Sequence, residues 1–122
     1  MKGKLRLEVH DVEVAVLTGI LSEETRLPQP LRVSVTADLE APDIFEPETP
    51  LSASKNYMDL KRAVVEALPR DRHFSLIEAV ADHIIETLMF DPRVRRVEVR
   101  IVKLAISTGG ESIGITLVRE RP

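Results

Sequence analysis

The chain has 122 residues, no cysteine, 17 basic against 20 acidic side chains and a formal net charge of −3. That length suits a single domain, residues 1–122, so a functional site must be built on one small core or between copies. The charge provides no field suited to a phosphate backbone or an anionic membrane, and the absence of cysteine excludes disulfides, thiol nucleophiles and thiolate metal sites.

From Leu5 to Leu17 apolar and polar residues alternate, but the phase slips at His10-Asp11, so one long strand with a bulge is expected there. The start, Met1-Lys2-Gly3-Lys4, is charged without an apolar run behind it, and no stretch approaches a membrane span. A soluble, unprocessed, cytoplasmic chain with no nucleic-acid or membrane partner is the expectation. Residues Gly19 to Pro30 carry glycine, serine, two prolines and several charges, which suits an exposed loop. Leu31, Val33, Val35, Ala37 and Leu39 then alternate with Arg32, Ser34, Thr36 and Asp38, the pattern of a strand with one face on a core and one in water.

Ala41 to Ser54 has three prolines and no periodicity, and reads as a long surface loop. Asn56 can cap a helix from Tyr57 to about Leu68, with Pro69 as its stop. For a second helix, Ser75 and Glu78 have the spacing of a capping box, and Leu76, Ile77, Val80, Ile84, Ile85 and Leu88 supply an apolar face up to Asp91-Pro92. Val97, Val99 and Ile101 mark a third strand. Gly109-Gly110 sits in the turn region before a fourth, which contains Ile113, Ile115 and Leu117. The order ββααββ predicts an α+β fold, an antiparallel four-stranded sheet with both helices on one face, whose edge strands need cover.

Four residues stand out chemically. Lys103 falls on the core-facing parity of its strand; burial disfavours a charged ammonium and lets a lysine exchange protons near neutrality, but its stem can equally lie on apolar surface with the ammonium in water. Glu78 can accept the paired donors of a flat heterocycle with a guanidine-like edge, or simply complete the capping box. Tyr57, the only tyrosine, can stack on or exchange a proton with a ligand, or pack at the base of its helix. Glu24, in the run Ser22-Glu23-Glu24-Thr25-Arg26, reads on its own as a solvated loop charge. His10, His73 and His83 fall in separate elements without metal-ligand spacing, and no phosphate-cradling loop or nucleophile elbow appears.

In order along the chain, Gly19-Ile20-Leu21-Ser22-Glu23-Glu24 with Gln29-Pro30, Asn56-Tyr57, Ser75-Leu76-Ile77-Glu78 with Ala81, Lys103, and Ser112-Ile113-Gly114-Ile115 resemble the pattern of the dihydroneopterin aldolase family. The resemblance implies a tunnelling fold in which four subunits close a β-barrel and two rings stack into a homo-octamer, with pockets between subunits. It implies an aldehyde-lyase of folate biosynthesis that cleaves 7,8-dihydroneopterin, a small-molecule pterin, to 6-hydroxymethyl-7,8-dihydropterin and glycolaldehyde without metal or cofactor. In that reading Glu78 and the backbone at Ile77 hold the pterin, Tyr57 comes from the neighbouring subunit, and Lys103 works with Glu24 on proton transfer. The chain departs from the family pattern at Thr18, Pro28, Thr49, Ala53 and Leu104-Ala105-Ile106, which bears on substrate choice. The related reading is a dihydroneopterin triphosphate epimerase, with Lys55 as a cation for the phosphates; a non-catalytic pterin- or purine-binding protein is the third.

Overall fold

The structure, a computed structural model, describes residues 2–20 and 27–122. Strand β1 (Gly3–Val16) pairs with β2 (Gln29–Ala41), β2 with β3 (Arg96–Lys103) and β3 with β4 (Gly114–Glu120), all antiparallel, in the sheet order β1-β2-β3-β4. A single 3-10 turn (Leu51–Ala53) lies in the long connection after β2, followed by helices α1 (Met58–Val65) and α2 (Ile77–Met89). The expected ββααββ order is observed. Among the described residues no helix is long and apolar enough to cross a membrane.

The alternation of β2 sends Leu31, Val33, Val35, Ala37 and Leu39 into the core, where they meet Val97, Val99 and Ile101 of β3 and Leu60, Val64, Val80, Ile84 and Leu88 of the helices. Each such fully buried valine, leucine or isoleucine side chain contributes about 1.5–3 kcal/mol relative to exposure. The phase slip in β1 is a bulge: Val9 faces Val35 and Val12 faces Val33, so one extra residue on β1 returns Val12 to the inward face. Asp11 takes the strain with φ of 61°, and its N–H donates to Ser34 Oγ at 3.0 Å.

The helices begin and end differently from the sequence expectation, for local reasons. Asn56 Oδ1 does accept the Met58 N–H at 3.0 Å, but α1 is shorter than expected. The N–H groups of Glu66 and Ala67 both donate to the Arg62 carbonyl, loosening the last turn before Pro69, and the residue before a proline avoids helical geometry. Leu68 is buried all the same. The capping box of Ser75 and Glu78 does not form. Leu76, extended at φ −123° and ψ 144°, occupies the cap position without a side-chain cap, so Ser75 and Glu78 are each one residue out of register for that motif.

The face of the sheet away from the helices is polar without being simply wet, which corrects the expectation for β2. Thr36 and Asp38 are both buried. Asp38 accepts from Arg6 Nε at 2.7 Å and Nη2 at 3.1 Å, with Lys4 at 3.7 Å and Arg96 at 3.8 Å. The Arg6 guanidinium, hydrogen-bonded across the strand pair, holds this carboxyl below the usual carboxylate range. A carboxyl with a lowered folded-state pKa contributes stability that is present above its unfolded pKa and is lost as pH falls through its folded one. Thermal stability should therefore decline as pH falls through and below the ordinary carboxylate range, and Asp38→Asn should cost about 1–2 kcal/mol at neutral pH while flattening that decline. Thermal unfolding of both proteins across that range checks it; parallel pH curves would contradict it.

Candidate active site

Three separate segments meet at the end of the sheet where β1 and β3 finish. Just past β1, the Phe74 N–H donates to the Leu17 carbonyl at 2.8 Å and the Gly19 N–H donates to the Phe74 carbonyl at 3.1 Å, making a parallel bridge of Thr18 with Phe74. His73 adds a third tie, Nε2 donating to the Gly19 carbonyl at 2.9 Å. Gly19 has φ of 118°, a conformation side-chain-bearing residues rarely adopt, so the chain can turn away here only at a glycine. The exit from β1 is thereby fixed to the segment that starts α2. The first N–H groups of α2 are the ones a helix leaves without intrahelical acceptors, which places Ile77 and Glu78 at a donor-rich helix start.

The third segment is the end of β3. Lys103 faces Leu31, which is completely buried, so its side chain stands on the inward parity of the sheet, as expected. It is half-buried, and its N–H donates to the Ile113 carbonyl at 2.8 Å. Beyond it the Leu104 N–H donates to Pro30, closing the strand end. Gly114 opens β4 opposite Val102, where a Cβ would come within 1.8 Å of the Ile101 carbonyl oxygen; only glycine allows that approach.

Thr18, Gly19, Ile20, Ser75, Leu76, Ile77, Glu78 and Lys103 line one cavity of about 330 Å³. The volume falls at the low end of small-ligand sites, and its lining combines an apolar wall with a carboxylate, a lysine amino group and two hydroxyls. Glu78 is exposed and is not engaged as a helix cap, so the carboxylate is available to a ligand. Glu78, Ile77 and Lys103 are thus brought together across widely separated parts of the sequence.

Tyr57 is not brought there. It stands at the cap position just before α1, 65% exposed, beside the exposed Met58. Glu24 lies outside the described residues. Lys55, read above as a phosphate cation, is committed elsewhere: it is 9% exposed and donates to Asp59 at 3.0 Å and Asp91 at 3.1 Å, lining a different cavity between α1 and the end of α2. Asp91 is held far below the usual carboxylate range, first by Arg93 and then by Lys55, which marks this cluster as a structural ion network. Among the described residues no group of three or more His, Asp or Glu is arranged to hold a metal ion.

Sequence reasoning noted Thr18 only as a departure from the family pattern, Leu76 only as part of the α2 apolar face and of the family pattern, and His73 only as a lone histidine, and gave none of them a role in a site. The partner of His73 is a backbone carbonyl 54 residues away, which no local spacing announces. His10 and His83 likewise engage ordinary partners, the Glu8 carboxylate and the Ala67 carbonyl.

Comparison with known proteins supports a common origin. The chain is 29% identical over 119 residues, 98% of its length and 95% of the other's, to a dihydroneopterin triphosphate 2′-epimerase of Pseudomonas aeruginosa. It is 33% identical over 99 residues, 80% of its length and 75% of the other's, to a dihydroneopterin aldolase of Methylorubrum extorquens. Its fold matches the crystal structure of a dihydroneopterin aldolase of Burkholderia thailendensis bound to guanine, with a TM-score of 0.79 at 21% identity, covering 98% of this chain and 93% of that one. It also matches that of the E. coli dihydroneopterin aldolase in complex with neopterin, at a TM-score of 0.74 and 17% identity, covering 93% and 97%. The family model described as FolB, dihydroneopterin aldolase, matches residues 7–118, and the chain belongs to that family.

Proposed function

We propose that this protein cleaves 7,8-dihydroneopterin by a retro-aldol reaction, giving 6-hydroxymethyl-7,8-dihydropterin and glycolaldehyde. The observation that carries the reading is the shared cavity of Glu78, the start of α2 and Lys103. A carboxylate offers two acceptor oxygens to the adjacent N–H donors of a pterin's guanidine-like edge, and the backbone at Ile77 fixes the ring's remaining polar rim. That placement directs the ring's side chain toward Lys103.

The amine of Lys103, acting through a water, takes the proton of the hydroxyl on the second side-chain carbon. The bond between the first and second side-chain carbons breaks, and its electron pair moves into the ring imine to give an enamine. Glycolaldehyde leaves, and a proton returned to the first side-chain carbon restores the imine and completes the product. Because the substrate's own conjugated imine receives the electrons, the chemistry calls for neither a Schiff base with the protein nor a metal. Tyr57 of an adjacent copy manages protons on the enamine, and Glu24 works with Lys103 on proton transfer.

Assembly of copies is part of the same reading. β1 and β4 are open sheet edges, and exposed apolar side chains stand at the cavity (Ile20, Leu76) and next to Tyr57 (Met58). A tetrameric or octameric barrel covers both features and brings Tyr57 of one copy to the cavity of the next.

A second reading is favoured by the triphosphate epimerase relative, whose similarity runs along 98% of this chain. Re-addition of the enamine to the opposite face of the released aldehyde inverts the hydroxyl-bearing carbon instead of liberating product. Supplying 7,8-dihydroneopterin and its triphosphate side by side, with the pterins resolved by chromatography, tests both. The hydroxymethyl product supports cleavage, an epimer from the triphosphate alone moves the assignment to the second reading, and neither product contradicts both.

A further inference from the structure

Two buried side-chain oxygens among the described residues have no hydrogen-bond partner, Thr18 Oγ1 and Thr36 Oγ1. They differ in surroundings. Thr36 lies mid-strand on the polar face of the sheet and lines no described cavity, whereas Thr18 lines the cavity that contains Glu78 and Lys103. Thr18 is completely buried, and its backbone is fixed by the bridge to Phe74 and by the ties on either side at Leu17 and Gly19. A β-branched side chain on so constrained a backbone has few rotamers, so the hydroxyl has little scope to turn toward another partner.

A buried hydroxyl without a partner costs free energy that a valine of the same shape would not, and the cost disappears when a ligand supplies the missing hydrogen bond. Four polar side chains, those of Thr18, Ser75, Glu78 and Lys103, line the cavity and differ in chemistry. Glu78 only accepts, Lys103 as an ammonium only donates, and the hydroxyls of Thr18 and Ser75 can do either; Ser75 is exposed to water, whereas the Thr18 hydroxyl is buried, rigid and without a partner.

We infer that Thr18 is a specificity-determining residue whose hydroxyl donates to a ring nitrogen or carbonyl oxygen of the bound dihydropterin. The inference rests on the pterin reading of this cavity. With the donors of the heterocycle turned to Glu78, a lone pair elsewhere on the ring is the complement for a neutral donor. The residue therefore sorts flat heterocycles by the position of an acceptor, a distinction that charge alone does not make.

Binding of 6-hydroxymethyl-7,8-dihydropterin to the wild-type protein, Thr18→Val and Thr18→Ser, with the thermal midpoint of each ligand-free protein, tests it. The valine variant should bind about tenfold more weakly while its midpoint stays level or rises, and the serine variant should restore binding to within about threefold of wild type. Unchanged affinity in the valine variant overturns the inference, as does weaker binding accompanied by a lowered midpoint, which marks a structural hydroxyl. Failure of the wild-type protein to bind the dihydropterin overturns the pterin reading and this inference with it, whereas wild-type binding with an indifferent valine variant overturns the inference alone.

Discussion

Replacing Lys103 with alanine is expected to lower kcat on 7,8-dihydroneopterin by about 10²–10⁴-fold, the usual range for loss of a positioned general base, while pterin affinity shifts much less. The expectation follows from position. Lys103 ends β3 on the inward parity, opposite the buried Leu31, and joins Glu78 at the cavity although the two lie on different elements. Lys103→Arg separates proton transfer from charge, because a guanidinium keeps the cation and cannot give up its proton at neutral pH. The arginine variant should be nearly as impaired as the alanine. Steady-state turnover and equilibrium binding on the same preparations check this, and an arginine variant with near wild-type turnover would reduce Lys103 to an electrostatic role. Circular dichroism guards against misfolding; the ladder at this strand end is a backbone bond from the Lys103 N–H to Ile113 and survives both substitutions.

Replacing Glu78 should act on the other half of the problem. Glu78→Ala is expected to weaken dihydropterin binding by more than about 100-fold, because it leaves two ring donors desolvated without an acceptor, a loss of about 3 kcal/mol. Glu78→Gln should be almost as severe, since its amide presents an N–H where the ring also presents one. The cap position of α2 belongs to Leu76, and Glu78 is exposed, so neither variant should move the thermal midpoint appreciably. Calorimetric or fluorescence titration checks the binding, and wild-type affinity in Glu78→Ala would remove the carboxylate from the site.

The contrast between these two residues shows what a one-dimensional pattern can and cannot carry. Lys103 was legible because strand parity is a two-residue rule: its face follows from Val97, Val99 and Ile101, and the register with β2 bears it out. The slip at His10-Asp11 was legible for the same reason, since one added residue in a strand exchanges its faces. Helix ends were less so. A capping box requires its serine at the cap itself, and a shift of one residue moved the cap to Leu76 and left Glu78 uncommitted.

Groups whose partners lie far along the chain were not legible. Asp38 alternates like any outward residue, yet Arg6, Lys4 and Arg96 from β1 and β3 enclose it. Lys55 looked like a cation available to phosphates until Asp59 and Asp91 took it. The unpartnered hydroxyl of Thr18 depends on a bridge to Phe74 that no spacing predicts. Tyr57 was expected at the pocket through a neighbouring copy, and within one chain it stands apart from the cavity.

The most direct measurement is incubation of the purified protein with 7,8-dihydroneopterin in the presence of a chelator, quantifying pterin and aldehyde in the same sample. The account predicts 6-hydroxymethyl-7,8-dihydropterin and glycolaldehyde in equal amounts, formed well above the rate in buffer. Recovery of the substrate unchanged, from protein that binds it, would contradict it.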